Sequence, residues 1–329
     1  MTDGSDSRWE HATSVLLELQ WFGRGNIFFL RNLSKNYDII LLCETWLKPD
    51  SDFNFILPGF VEIVSSRKRL NHRARRGAGG VLMYIRNEFA DMVAVEHMEC
   101  EIEDRLWIRI VRNNENVFLG VWYMPPKGTT GFYGSHTYWE SLSEELSYLQ
   151  DRGKVIIAGD FNARTATMCP RGMQQRVSQD KATNDFGKYL LDLCNQHELR
   201  ILNGLVDKEH SCNYTCVTPR GASVVDYVVI SNQMLQDVMS FVVNPVTTLS
   251  DHCYLSVMVN LRKNWDGETT LHRSEVLLLD IEGRCEEVYS QASTGYKYRW
   301  CAEKRVVHQL HSILNMSSSE DTEVYTIHY

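Results

Sequence analysis

No apolar run in the 329 residues approaches the roughly 18 that a membrane-spanning helix requires, so no helical membrane anchor is expected. Positive charge is not in excess either. Against 34 Lys and Arg stand 42 Asp and Glu, for a formal net charge of -8. That balance excludes a protein that coats nucleic acid nonspecifically. It leaves room for one that meets nucleic acid through a local patch and a metal. The nine cysteines are scattered and odd in number, which argues against a disulfide framework and for reduced thiols. His210, Cys212 and Cys216 are close in sequence, but no second Cys/His pair follows at zinc-finger spacing, and 213–217 reads as a strand. Residues 1–10 are polar and acidic, without the apolar segment of a signal peptide. An intracellular location, nucleus or cytoplasm, is therefore expected. The glycines at 77–80 precede a strand and not a helix, so they are no dinucleotide cradle.

What is present is an ordinary globular balance, 43% hydrophobic and 23% charged, in a chain long enough to bury a core unaided. Apolar runs or alternation predict strands at 14–22, 38–43, 60–64, 81–85, 106–111, 116–123, 154–159, 213–217, 223–231, 238–244 and 253–260. Helical spacing predicts helices at 26–37, 136–150 and 184–197. Strands mixed with amphipathic helices, with polar residues at strand ends, predict a layered α/β fold with a cleft at the loop edges. Beyond residue 261, Glu, Lys and Arg cluster and the end is Ser-rich and acidic, which reads as a helical or partly disordered tail.

Several polar residues sit where apolar strands end. In Ile156-Ile157-Ala158-Gly159-Asp160-Phe161-Asn162 a carboxylate and a carboxamide fall two residues apart, which on a strand places them on one face. Glu44 follows the apolar run 38–43, and a carboxylate there is costly to bury unless paired or on a metal. Tyr123 precedes the rigid exit Met124-Pro125-Pro126, Asp226 lies among apolar neighbours, and Ser250-Asp251-His252 opens the last strand. The one concentrated basic segment, 67–76, holds six Lys/Arg, including Arg73, Arg75 and Arg76. It can be a phosphate grip, a nuclear-import signal or a solvated loop.

In this order Glu44, Tyr123, Asp160, Asn162, Asp226 and Ser250-Asp251-His252 resemble the endonuclease/exonuclease/phosphatase superfamily. The finer likeness is to the endonuclease domain of LINE-type (non-LTR) retrotransposons. Cys43-Glu44-Thr45-Trp46 looks like that family's QETW and Tyr123-Met124-Pro125-Pro126 like its Y-x-P-P. Gly159 to Ala163 match its GDFNA, 223–227 its S-x-I-D-Y and 250–252 its SDH, while 180–204 is similar to an element-specific segment. The likeness covers residues 12–262, with 1–11 a polar extension and 263–329 the tail. Residues 296–314 resemble the segment that leads on to a reverse transcriptase. No polymerase signature follows, so a fragment or a host-captured endonuclease domain is expected.

The resemblance implies a deoxyribonuclease I-like four-layer sandwich, two mixed β-sheets packed face to face with flanking helices. It implies Mg2+- or Mn2+-dependent hydrolysis of the DNA backbone, in the manner of a nickase. Carried over, Glu44 and Gln20 hold the metal, and Asp160 orients or deprotonates the attacking water. Asn162 and His252 hold the scissile phosphate, Asp251 fixes the imidazole, and Tyr123 bonds a phosphate oxygen. Asp226 supports the His252 side, with Ser223, Thr215 and Ser250 bracing it. One departure stands out: the family has asparagine where Gln20 falls, and the extra methylene is expected to weaken the metal side. Two other readings stay open. One is an impaired remnant that binds nucleic acid or protein; the other is a phosphoesterase of the same fold acting on a lipid or a nucleotide.

Overall fold

The computed structural model describes residues 12–18, 24–47, 56–67, 78–90, 93–98, 104–112, 115–129, 135–260 and 298–299. In chain order the strands are β1 (Ala12–Glu18), β2 (Ile39–Cys43), β3 (Phe60–Ser65), β4 (Val81–Arg86), β5 (Val93–Met98), β6 (Arg105–Arg112), β7 (Glu115–Tyr123), β8 (Gly153–Asp160), β9 (Leu199–Ile201), β10 (Cys216–Thr218), β11 (Gly221–Ser223), β12 (Asp226–Ser231), β13 (Val238–Val243), β14 (Leu255–Val259) and β15 (Tyr298–Arg299). The helices are α1 (Arg24–Leu33), α2 (Asn87–Ala90), α3 (Ser135–Gln150), α4 (Asp185–Gln196) and α5 (Lys208–Ser211).

β2 explains the layering. All five of its residues are buried, and they divide by the two-residue period of a strand. Ile39, Leu41 and Cys43 join a core shared with Ile108, Val121, Ala158 and Val228 of other strands. Ile40 and Leu42 pack instead with Leu30 and Leu33 of α1. A strand that is apolar on both faces needs cover on both, so one face meets a second sheet and the other a helix. β7 and β8 repeat the pattern: Val121 and Ala158 point to the middle core, while Phe118, Val155 and Ile157 pack under Tyr138, Leu142 and Leu190 of α3 and α4. Four layers result, helix–sheet–sheet–helix. The sheets run β13-β14-β1-β2-β4-β3 and β15-β5-β6-β7-β8-β12-β9. Both are mixed, with parallel pairs β1–β2 and β7–β8 among antiparallel ones.

Several strand expectations change: the strand expected at 213–217 forms at Cys216–Thr218, and the tail, read as helical or partly disordered, contributes β15 to the second sheet. Residues 223–231 do not form one strand. The amides of Val225 and Asp226 donate to Thr215 Oγ1 (3.0 and 3.1 Å), and Val224 N donates to Asp180 Oδ2 (3.1 Å). With its amides drawn to side chains the ladder stops; β11 pairs with β10 in a small hairpin, and β12 enters the large sheet between β8 and β9. Strands β5 and β9 lie outside the expected set. In the tail the described residues are those of β15, which pairs with β5; the rest of 263–329, residues 1–11, Gln20 and Arg73, Arg75 and Arg76 lie outside the described residues.

Two buried polar contacts fix α3 on the second sheet. Glu145 takes an ion pair from Arg105 Nη2 (3.1 Å) and a hydrogen bond from Trp107 Nε1 (3.0 Å). Across the ladder Trp107 faces Gly120, where a Cβ would lie 2.5 Å from the indole. Removing one member of a buried pair strands the other charge, so Glu145→Leu is expected to destabilise by about 3–5 kcal/mol; a urea midpoint equal to that of the wild type contradicts this. At the end of α4, His197 Nδ1 lies 3.0 Å from Gln150 Oε1 and Nε2 lies 2.7 Å from Ser143 Oγ. Burial lowers the His197 pKa. The folded ring therefore resists a proton that the unfolded chain accepts near about pH 6.5. Its contribution is complete above that pH and is lost as pH falls toward the depressed folded pKa. Between about pH 7.5 and about pH 5.5, the wild type should lose more in Tm than His197→Asn, and equal losses would refute the assignment.

Candidate active site

The register of the large sheet lines up three polar side chains. Tyr123 of β7 is the partner of Asp160 in β8, and Asp160 is the partner of Asp226 in β12. Directly paired residues project from the same face, so the three form one row at the strand ends. The close β7–β8 approach depends on Gly159, where a Cβ would stand 1.7 Å from the Trp122 carbonyl oxygen. Phe161 anchors the exit; it is fully buried and meets Trp122 edge-on at 5.0 Å and Tyr227 at 6.0 Å.

Asp160 and Asn162 do come together, though not by strand alternation. Asn162 has φ +46°, the left-handed region that asparagine tolerates. Its backbone N donates to Asp160 Oδ1 (2.7 Å), and its Nδ2 donates to Asp160 Oδ2 (2.8 Å) and to the Met124 carbonyl (2.8 Å). A hydrogen-bonded turn thus aims both groups. Asn184 holds this turn from outside. Its Oδ1 caps α4 through Gly187 N (2.7 Å) and accepts from Arg164 N (2.9 Å), while its Nδ2 donates to the Asn162 carbonyl (2.9 Å). A Cβ on Gly187 would sit 2.0 Å from the Arg164 carbonyl oxygen, so the helix start and the turn touch backbone to backbone.

His252 is buried, and its Nδ1 lies 2.9 and 3.0 Å from the two carboxylate oxygens of Asp226. The carboxylate that fixes the imidazole is therefore Asp226 and not the sequence neighbour Asp251. An Nδ1–H aimed at a carboxylate sets the tautomer and stabilises the ring when it is protonated. Thr215 Oγ1 receives the Asp226 amide, Thr215 O receives Cys253 N (2.7 Å), and Ser250 Oγ receives His252 N (3.0 Å). These contacts clamp both members of the pair. Ser223 contributes its carbonyl, which accepts from Thr215 N (2.9 Å), and Asp251 contributes its own to Val217 N (2.7 Å).

Glu44 closes the site from the first sheet. It and Trp46 have φ +50°, and the Tyr123 hydroxyl donates to the Glu44 carboxylate. The resemblance implies a phosphate oxygen as the partner of that hydroxyl; in this structure the partner is Glu44. Among the described residues no three His, Cys, Asp or Glu converge on one point. A half-buried glutamate bonded to Tyr123 still suits Mg2+, which takes one or two protein carboxylates and completes its shell with water and phosphate oxygens.

Some supporting groups carried no sequence signal. Asn203 is buried and donates Nδ2 to the Asp226 carbonyl (3.0 Å) while Oδ1 accepts from Val228 N (3.2 Å). Asp180 accepts from Arg164 Nε (2.8 Å), Ala182 N (2.9 Å) and Val224 N. Burial pushes its carboxyl up, but Arg164 and the two amides outweigh burial and leave it below the ordinary range. Arg176 is buried among neutral acceptors, the Asn203 carbonyl (2.7 Å), Thr165 Oγ1 (2.6 Å) and the Met168 carbonyl (2.8 Å), and burial lowers its pKa.

Solved structures share this architecture. An AP endonuclease, LMAP, from Leishmania major superposes with TM-score 0.61 at 15% identity, over 79% of this chain and 91% of that one. The endonuclease domain of TRAS1, a telomere-specific non-LTR retrotransposon, gives 0.54 at 15% identity over 77% and 100%. A 3'-5' exonuclease, NExo, from Neisseria meningitidis gives 0.53 at 15% over 75% and 99%. At such identity these similarities establish the fold alone. Among curated proteins none matches this sequence. The sequence profile of the Endonuclease/Exonuclease/phosphatase family matches residues 25–252, a span that takes in the Glu44 turn, the Tyr123–Asp160–Asp226 row and His252, and the chain belongs to that family.

Proposed function

We propose that this chain is a metal-dependent phosphodiesterase that cuts the DNA backbone, an endonuclease of the nicking kind derived from a non-LTR retrotransposon. The observation that carries the reading is the Asp226–His252 pair set beside the Asp160–Asn162 turn, with Tyr123 in the same row and Glu44 joined to it from the first sheet. Asp160 takes the proton of the attacking water as its oxygen bonds phosphorus and the ester P–O bond breaks. Asn162 and His252 hold the non-bridging oxygens, and Asp226 keeps the imidazole oriented toward the growing negative charge. Glu44, with Gln20, holds Mg2+ or Mn2+, which supplies neutralisation of phosphoryl charge. Tyr123 passes from Glu44 to a phosphate oxygen when substrate binds. Arg73, Arg75 and Arg76 contact flanking phosphates, and the protein acts inside the cell, in nucleus or cytoplasm. The names of three structural neighbours, an AP endonuclease, a retrotransposon endonuclease domain and an exonuclease, support a nucleic-acid substrate over a lipid. Gln20 favours a second reading, a domain with an impaired metal side that retains binding.

A supercoiled-plasmid assay with Mg2+ tests this. Wild type should nick, and Asp160→Ala, His252→Ala and Asp226→Asn should each lower the rate by at least about 100-fold. Hydrolysis of inositol or lipid phosphates without nicking would refute the DNA reading. Nicking that appears only with Gln20→Asn would favour the impaired one. Neutralising Arg73, Arg75 and Arg76 should flatten the log–log salt dependence of DNA binding by roughly 0.9 for each phosphate that is no longer neutralised; an unchanged slope removes these residues from the interface.

A further inference from the structure

Asp104, at the start of β6, is 1% exposed and has no part in the chemistry above. Its carboxylate accepts from Gly80 N (2.8 Å) and from Arg67 Nε (2.8 and 3.1 Å), and its backbone carbonyl accepts from Tyr123 N (2.9 Å). Gly80, which it holds, and the adjoining Gly79 in turn hold the Glu44 turn: Thr45 N donates to Gly80 O (3.2 Å) and Trp46 N to Gly79 O (2.9 Å). That turn needs holding, because Glu44 and Trp46 both occupy the left-handed region that residues with a Cβ avoid. The glycines fit only here. A Cβ on Gly79 (φ +58°) would lie 2.4 Å from Asp104 Oδ1, and one on Gly80 (φ +85°) would lie 2.8 Å from Thr45 Oγ1.

One buried residue thus reaches both halves of the site, one by its backbone carbonyl and the other by its side chain. It fixes Tyr123 through the backbone of the second sheet and Glu44 through two glycines of the first. We propose that Asp104, neutralised by Arg67, is the positioning residue that sets the Glu44 carboxylate against the Tyr123 hydroxyl and thereby sets divalent-metal affinity. The metal part rests on the reading of Glu44 as a metal ligand; the positioning part does not.

Two measurements on the full chain separate them. The first is amide hydrogen exchange of residues 44–47 in metal-free protein. The second is direct Mn2+ binding, read from the free-ion electron paramagnetic resonance signal. In Asp104→Asn the Thr45 and Trp46 amides should exchange at least about tenfold faster. The Mn2+ dissociation constant should rise about 10–100-fold, the range seen when a residue that orients a metal ligand is removed. Asp38→Asn breaks the half-buried Asp38–Arg86 pair elsewhere in the first sheet and should change neither. If Asp104→Asn does not fold, the double variant Arg67→Met/Asp104→Asn, which leaves no unpaired buried charge, gives the same readings. Wild-type exchange at residues 45 and 46 in a folded variant overturns the proposal. If Glu44→Gln leaves Mn2+ binding intact, it is the metal reading that fails, and the exchange rates still decide the positioning.

Discussion

The β7–β8 pairing at Gly159 is the constraint from which the site follows. Parallel neighbours ordinarily keep side chains between their backbones and whatever crosses them, but here the Trp122 carbonyl comes to 1.7 Å of where a Cβ would be. Any side chain at 159 would push β8 away or shift its register, and a one-residue slip reverses the face of every side chain. The row Tyr123–Asp160–Asp226 exists only in the observed register. Trp122, whose carbonyl makes the close approach, also accepts the Cys43 thiol across the sheets (3.5 Å) and packs edge-on against Phe161 and Trp139. The same residue therefore links the middle core, the outer core and the Asp160–Asn162 turn.

Around this row the polar side chains divert backbone amides from ladders into loops. Asp180, Thr215, Ser250, Asn184 and Asp104 each accept from main-chain N–H groups that would otherwise be buried without partners. An unsatisfied buried amide costs about 1–3 kcal/mol, so each acceptor holds its loop at a set place. Thr215 and Asp180 end the β11 side and release Asp226 to start β12. The position of the Asp226–His252 pair is thus a matter of loop hydrogen bonding as much as of sheet packing.

The layers and the catalytic turn were legible because their signals are local. Five apolar residues at 39–43 can be satisfied only by cover on both faces, and Gly-Asp-Phe-Asn after an apolar run announces a strand end with two polar groups. What was not legible depends on partners distant in sequence. Asp251 adjoins His252, yet the imidazole meets Asp226, 26 residues earlier, because Thr215 takes both the Asp226 amide and the Cys253 amide and brings the two segments together. Residues 223–231 have strand composition throughout, and the break at 224–225 comes from acceptors at 180 and 215. Asp104 looks like any acidic residue before a strand, and only its burial and its two glycine-borne links reveal its place.

The two halves of the site belong to different sheets, and that shapes how the molecule must behave. Asp160, Asn162 and Asp226 are tied to the second sheet, whereas Glu44 ends a strand of the first and His252 lies in the segment that enters β14 of the first. Between them lies an apolar core, which transmits spacing and cannot correct orientation, since apolar contacts are not directional. Orientation across the gap has to come from directional contacts. Those described at this end are the Tyr123–Glu44 hydrogen bond, the Cys43–Trp122 contact and the Asp104 carboxylate on Gly80. On the proposed mechanism the Tyr123–Glu44 bond gives way when substrate binds. Asp104, buried on Gly80 and Arg67, is the link that the proposed reaction leaves unchanged.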